Sequence, residues 1–129
     1  MISTRTDAEK FAVDWAQAWN RRDVESVLAH FRDDIIFASP TALAVTGSSV
    51  VHGKDALREY WTKALARTGS IEFRVIRVLW DAASRELAII YLAAIDGRSG
   101  TVSENLIFGK DGLVATAEVF HGVPTSMEP

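Results

Sequence analysis

The sequence predicts an α+β fold, helices first and a mostly antiparallel sheet after, and three observations carry that reading. Up to Gly69 apolar residues recur at helical spacing, and beyond it they gather in β-branched and aromatic runs. Those runs are parted by D-A-A-S-R, D-G-R-S-G and G-K-D-G, strings that form hairpin turns. The chain has 129 residues, enough for one domain over 1–129 with a real core and too few for two. Three helices followed by a meander must bury one face of a curved sheet against the helices.

Taken in order, Thr6 and Glu9 have capping-box spacing, and Phe11, Trp15 and Trp19 recur every fourth residue behind them. This predicts a helix from about Asp7 to Asn20. Asp23 can cap a second helix reaching about Phe31, with Val24, Val27, Leu28 and Phe31 on its buried side. Asp33 and Asp34 then cap and solvate the turn before a short strand, Ile35 to Phe37, that stops at Pro40. Thr41 to His52 reads as a loop. After Gly53, Leu57, Tyr60, Trp61, Ala64, Leu65 and Thr68 fit a third helix, which Gly69 ends. Four strands complete the chain: Ile71–Trp80, Glu86–Ile95, Thr101–Gly109 and Leu113–Val123.

Parity assigns the faces of the sheet. On the last strand Leu113, Ala115, Ala117, Val119 and His121 share one face, and Val114, Thr116, Glu118 and Phe120 share the other. If G-K-D-G pairs Phe108 with Leu113, Glu104 falls opposite Ala117, and Glu104, Leu106 and Phe108 join the more apolar face. A carboxyl then points into an apolar interior.

Composition excludes several function classes. Apolar residues make up 48% and charged residues 24%, and no apolar run approaches the roughly 18 residues of a membrane span. The N-terminal residues do not read as a secretory signal, so the expectation is a cytoplasmic protein. With no cysteine there is no thiolate nucleophile, thiolate metal site or disulfide. His30 and His52 lack acidic or imidazole neighbours at ligand spacing, so neither a metal nor a cofactor is expected. A net charge of −3, with scattered cations, gives no footprint for nucleic acid or an anionic membrane. A small, weakly polar ligand is the expected partner.

Four strings, in this order and spacing, resemble the nuclear transport factor 2-like superfamily, in particular its SnoaL-like polyketide cyclase and ketosteroid isomerase-like branch. They are A-W-N-R-R-D, F-R-D-D-I-I-F-A-S-P, G-K-D-A-L-R-E-Y-W and E-V-F-H-G. The resemblance implies a cone-shaped fold, a strongly bent sheet wrapped round helices, an internal pocket at the wide end, and a homodimer formed through the sheet. In the isomerase branch an aspartate before the strand-ending proline shuttles a proton; Ser39 stands there, and an unactivated hydroxyl is a poor base near neutral pH. The tyrosine of the first helix matches Trp15, and the assisting acid matches Glu104. Trp61, Tyr91 and His121 match pocket-lining aromatics. The resemblance therefore implies a pocket while arguing against the steroid isomerase reaction.

Each candidate residue has a plainer structural reading beside its functional one. Glu104, among Leu106, Phe108, Tyr91 and Ala117, is expected to have a raised pKa and to serve as an acid or polariser; its plainer role is a buried carboxyl satisfied by an indole or phenol. His121 is a candidate base, either directly or replaced by a water held between Ser39 and Glu104, and its plainer role is space-filling. Trp15, Phe37, Trp61, Tyr91, Leu106, Phe108, Ala117 and Val119 are the expected ligand-binding wall, whereas Trp19 and Tyr60 read as core or rim. Three functions fit: a cofactor-free isomerase, lyase, cyclase or hydrolase; a small-ligand-binding protein; or a dimeric interaction module using an exposed sheet face with Ile76, Val78 and Trp80 or the residues that alternate with them.

Overall fold

The structure is a computed structural model and describes residues 1–125, with the side chain of Thr125 left out; the last four residues of the expected domain lie outside it. Helix α1 spans Arg5–Asn20, two residues earlier than expected, because Thr4 rather than Thr6 forms the capping box. The Thr4 hydroxyl accepts from the Asp7 N–H at 3.1 Å while the Asp7 carboxylate accepts from the Thr4 N–H. Helix α2, Val24–Leu28, is capped by Asp23 as expected but stops before Phe31. Phe31 instead opens strand β1, Phe31–Ala38, where it pairs with Val114. Asp33 and Asp34 thus lie inside an exposed stretch of strand, not in a turn before it, and Asp34 accepts from Arg32 at 2.9 Å.

The expected loop after Pro40 is structured. Helix α3, Pro40–Thr46, starts where Ser39 is extended and caps it, and proline suits the first helical position because no N–H is needed there. Gly47, at φ 83°, ends α3 in a conformation that favours glycine. Strand β2, Val50–His52, follows, then helix α4, Lys54–Ala66, as the spacing predicted. The expected three helices are therefore four. Strands β3 (Ile71–Asp81), β4 (Glu86–Ile95), β5 (Arg98–Phe108) and β6 (Val114–Thr125) fall close to their expected places.

The six strands run in the order β2-β1-β6-β5-β4-β3, antiparallel except for β1 beside β6. Two bulges alter the expected faces. One, between Ile107 and Phe108, pairs Phe108 with Val114, so Glu104 lies opposite Val119 and Leu106 opposite Ala117, two residues from the expected register. A slip of two keeps the face, so Glu104 still points inward, but Val114 moves from the expected outer face into the core with no exposure. The other bulge, at Ile76 in β3, turns Val78 and Trp80 toward the helices and leaves Ile76 and Leu79 outside. The exposed face expected from Ile76, Val78 and Trp80 is divided accordingly. The core beneath α1, α2 and α4 holds Trp15, Leu28, Phe31, Ile35, Leu57, Leu87, Ile89 and Leu106, all but fully buried.

Candidate functional site

A cavity of about 380 Å³ lies between α4 and the inner face of the sheet, with α3 at one side. That volume is within the range of small-molecule sites, roughly 300–1,000 Å³. The rings of Trp19, Phe37, Tyr60, Trp61, Phe73 and Tyr91 stand in its wall. Trp61 stands edge-on to Trp19, Phe37 and Phe31 at centroid distances of 4.8, 5.5 and 5.6 Å, and Phe73 lies 4.7 Å from Tyr91. Such ring contacts fix one another's orientation, which keeps the walls from collapsing inward.

Of the residues expected at a site, Glu104, Ser39, His121, Phe37, Trp61, Tyr91 and Val119 line this cavity. Trp15, Leu106, Phe108 and Ala117 do not. Trp15 packs behind the wall, stacked on Phe73 and edge-on to Tyr91. Leu106 and Ala117, register partners, are buried one step further along the strands, and Phe108 sits between Phe11 and Trp80. Tyr60 and Trp19, assigned to core or rim from spacing, are wall, and Thr41 joins them from α3. Thr41 was detectable only by reading Ser-Pro as an N-cap followed by a first helical position instead of as a strand end.

Glu104 is 4% exposed and accepts one hydrogen bond, from the Tyr91 hydroxyl at 3.3 Å. Burial raises its pKa to about 7, against which the Tyr91 bond pulls only part of the way back. The phenol answers in kind: burial first, then the neighbouring carboxyl, pushes Tyr91 well above the ordinary tyrosine value. Of the two plainer partners for Glu104, the phenol is the one present; the indole N–H groups of Trp15 and Trp19 have no partner among the described residues.

Opposite this pair is a line of hydroxyls. Ser39, 3% exposed, accepts from the Thr41 N–H at 3.3 Å as the cap of α3, and its Oγ is 2.8 Å from Thr41 Oγ1. Thr41 Oγ1 is in turn 2.9 Å from the Tyr60 hydroxyl. Burial raises the Tyr60 pKa, its Thr41 and Ser39 neighbours lower it, and Glu104 raises it again. His121, paired with Val102, is exposed and stands at the rim. An open groove of about 1140 Å³ at the β4–β5 turn adjoins the mouth and shares Thr41, Val102 and His121. Among the described residues no cluster of three His, Asp or Glu could hold a metal ion.

The SnoaL-like domain family matches residues 12–121 of the chain. No curated protein matches the sequence. A SnoaL-like protein of unknown function from Burkholderia thailandensis E264 is 29% identical, with a TM-score of 0.83 over 93% of this chain and 98% of that one. The epoxide hydrolase/cyclase-like enzyme SalBIII of pyran ring formation in salinomycin is 14% identical, with a TM-score of 0.71 over 92% of each chain. A computationally designed 17-OHP binder is 17% identical, with a TM-score of 0.70 over 95% of this chain and 94% of that one. The last two likenesses, at such low identity, show the nuclear transport factor 2-like fold alone.

Proposed function

The chain belongs to the SnoaL-like family, and on that footing we propose that it binds an apolar, ring-containing metabolite in the cavity and acts on it by proton transfer without a cofactor. The observation that carries the reading is Glu104, a buried carboxyl on the cavity wall whose pKa of about 7 lets it hold a proton near neutral pH. A protonated carboxyl donates to a carbonyl, epoxide or leaving-group oxygen as negative charge develops there. Tyr91 holds it in place while occupying only one of its oxygens. His121 at the rim, or a water between Ser39 and Glu104, receives the proton given up by the substrate carbon or, in epoxide opening, by the attacking water or hydroxyl. Isomerisation, dehydration, cyclisation and epoxide opening all need that pair of transfers.

One observation favours a second reading, a binding protein without turnover. Ser39 stands where a proton-shuttling carboxylate would be, and its hydroxyl is engaged in capping α3. SalBIII and the designed 17-OHP binder, an enzyme and a binder on the same fold, mark the two alternatives. Mass spectrometry of small molecules co-purified with the protein, before and after incubation, separates them. A chemically changed ligand supports turnover, and an unchanged one supports the binder. Glu104→Gln keeps the shape of the side chain and is expected to abolish turnover; retained turnover would sink the proposed role of Glu104. The reading includes a cytoplasmic homodimer joined through the outer sheet face, where Ile76, Leu79, Ile107 and Phe120 are exposed. Light scattering during gel filtration tests that assembly.

A further inference from the structure

The Ser39, Thr41 and Tyr60 hydroxyls stand side by side on one wall, with Ser39 Oγ 2.8 Å from Thr41 Oγ1 and Thr41 Oγ1 2.9 Å from the Tyr60 hydroxyl, and all three residues line the cavity. A hydroxyl both donates and accepts, so each can turn its proton from a neighbour to an oxygen brought by a ligand. Ser39 and Tyr60 are buried, where such a bond is stronger than in water.

The sheet fixes where these hydroxyls lie relative to Glu104. Ala38 pairs with Glu118, so Ser39 follows at the level of Val119, and Val119 pairs with Glu104. Ser39, Val119 and Glu104 thus form one row across three neighbouring strands, all buried, with an apolar side chain between two polar ones. Two strand spacings separate the outer members, on the order of 10 Å between backbones. A fused ring system is of that order of length. Tyr60 and Glu104 line the same cavity, and the carboxyl is the smallest of the causes that move the Tyr60 pKa.

We propose that the Ser39–Thr41–Tyr60 hydroxyls form a second oxygen-binding subsite, so that the ligand is a ring-sized apolar molecule carrying two carbonyl or hydroxyl oxygens, one at Glu104 and one at the relay. This rests on the reading of the cavity as a ligand site and narrows it. Because each hydroxyl can donate or accept, the relay takes either kind of oxygen: it donates to a carbonyl, or donates and accepts with a hydroxyl. Arg67 also lines the cavity, but it lies seven residues beyond Tyr60, about 10 Å along α4, and is not part of this subsite.

The test uses naphthalene, 2-naphthol and 2,6-dihydroxynaphthalene as probes, titrated against the whole chain by quenching of tryptophan fluorescence, since Trp19 and Trp61 line the cavity. The expected result is that 2,6-dihydroxynaphthalene binds several-fold, up to about tenfold, more tightly than 2-naphthol, the worth of one neutral hydrogen bond. Tyr60→Phe, which keeps the ring wall, and Thr41→Val are each expected to lower that ratio, and the double variant to lower it most. A ratio that survives both substitutions overturns the subsite even where Glu104→Gln weakens 2-naphthol, which leaves the cavity reading standing. Failure of all three probes to bind overturns the cavity reading and the subsite together.

Discussion

Along β5 the inward side chains Val102, Glu104, Leu106 and Phe108 have one parity and almost equal burial, yet the first two line the cavity and the last two do not. At the closed end Phe108 is flanked edge-on by Phe11 and Trp80, and Leu87, Leu106 and Val114 have no exposure. At the open end the rings of the wall meet their neighbours, Phe37 with Trp61 and Tyr60, and Phe73 with Tyr91, and the cavity lies beside them. Burial alone therefore does not distinguish core from site. What does is whether neighbouring groups touch across the interior or along its wall.

Substitutions at the two ends test that distinction. The largest effect is expected from Leu106→Ala, which opens a hole in the closed end and costs about 2–5 kcal/mol by urea denaturation. Next is the pH dependence set by Glu104. A carboxyl raised from 4.5 to about 7 makes the native state bind the proton more tightly than the unfolded chain does. Stability should be full below about pH 4.5, fall through the window up to about 7, and level off above it, by roughly 3 kcal/mol in total. Glu104→Gln should flatten this slope in denaturation series at pH 4.5 and 8; a slope that survives would place the titrating group elsewhere.

Smaller differences sharpen the comparison. Ser39→Ala removes the cap of α3 and one hydroxyl of the relay, for an expected cost of about 1 kcal/mol in thermal or chemical denaturation. Val119→Ala, whose side chain borders space already empty, should cost less than Leu106→Ala, about 1 kcal/mol or below, and one equal to it would mean the open end packs like the closed one.

The sequence reading and the structure agree where the signal is periodic and long. The indole stripe of α1, the Leu57–Tyr60–Trp61 face of α4 and the turn strings between β3 and β6 each combine several residues into one statement, and the family strings point to the same elements. Glu104 could be placed inward because a register error of two residues conserves the face. Short elements carried too little pattern: α3 has seven residues and β2 three, and Ser-Pro reads equally as the end of a strand or the start of a helix. The bulge at Ile76 was invisible for a different reason, since an extra residue in one strand is defined only against its partner. The boundary between cavity and core was hidden for the same cause, because it depends on whether the side chains beside Leu106 and Glu104 approach one another in three dimensions.

The parallel contact of β1 with β6 joins Phe37 to Ala117 and brings Ser39 level with Val119, residues drawn from near opposite ends of the chain. Every other neighbouring pair of strands is closed by local connections, but this one waits for the whole meander, and long-range pairings of this kind are the slow ones to form. The wall that carries the hydroxyl line is thus a seam closed by the strand pairing of widest sequence separation. A half-synthesised chain has Ser39 and Tyr60 but nothing to face them. A ligand bridging relay and carboxyl would then act as a rivet across that seam, holding shut the one joint whose opening separates the two ends of the sequence.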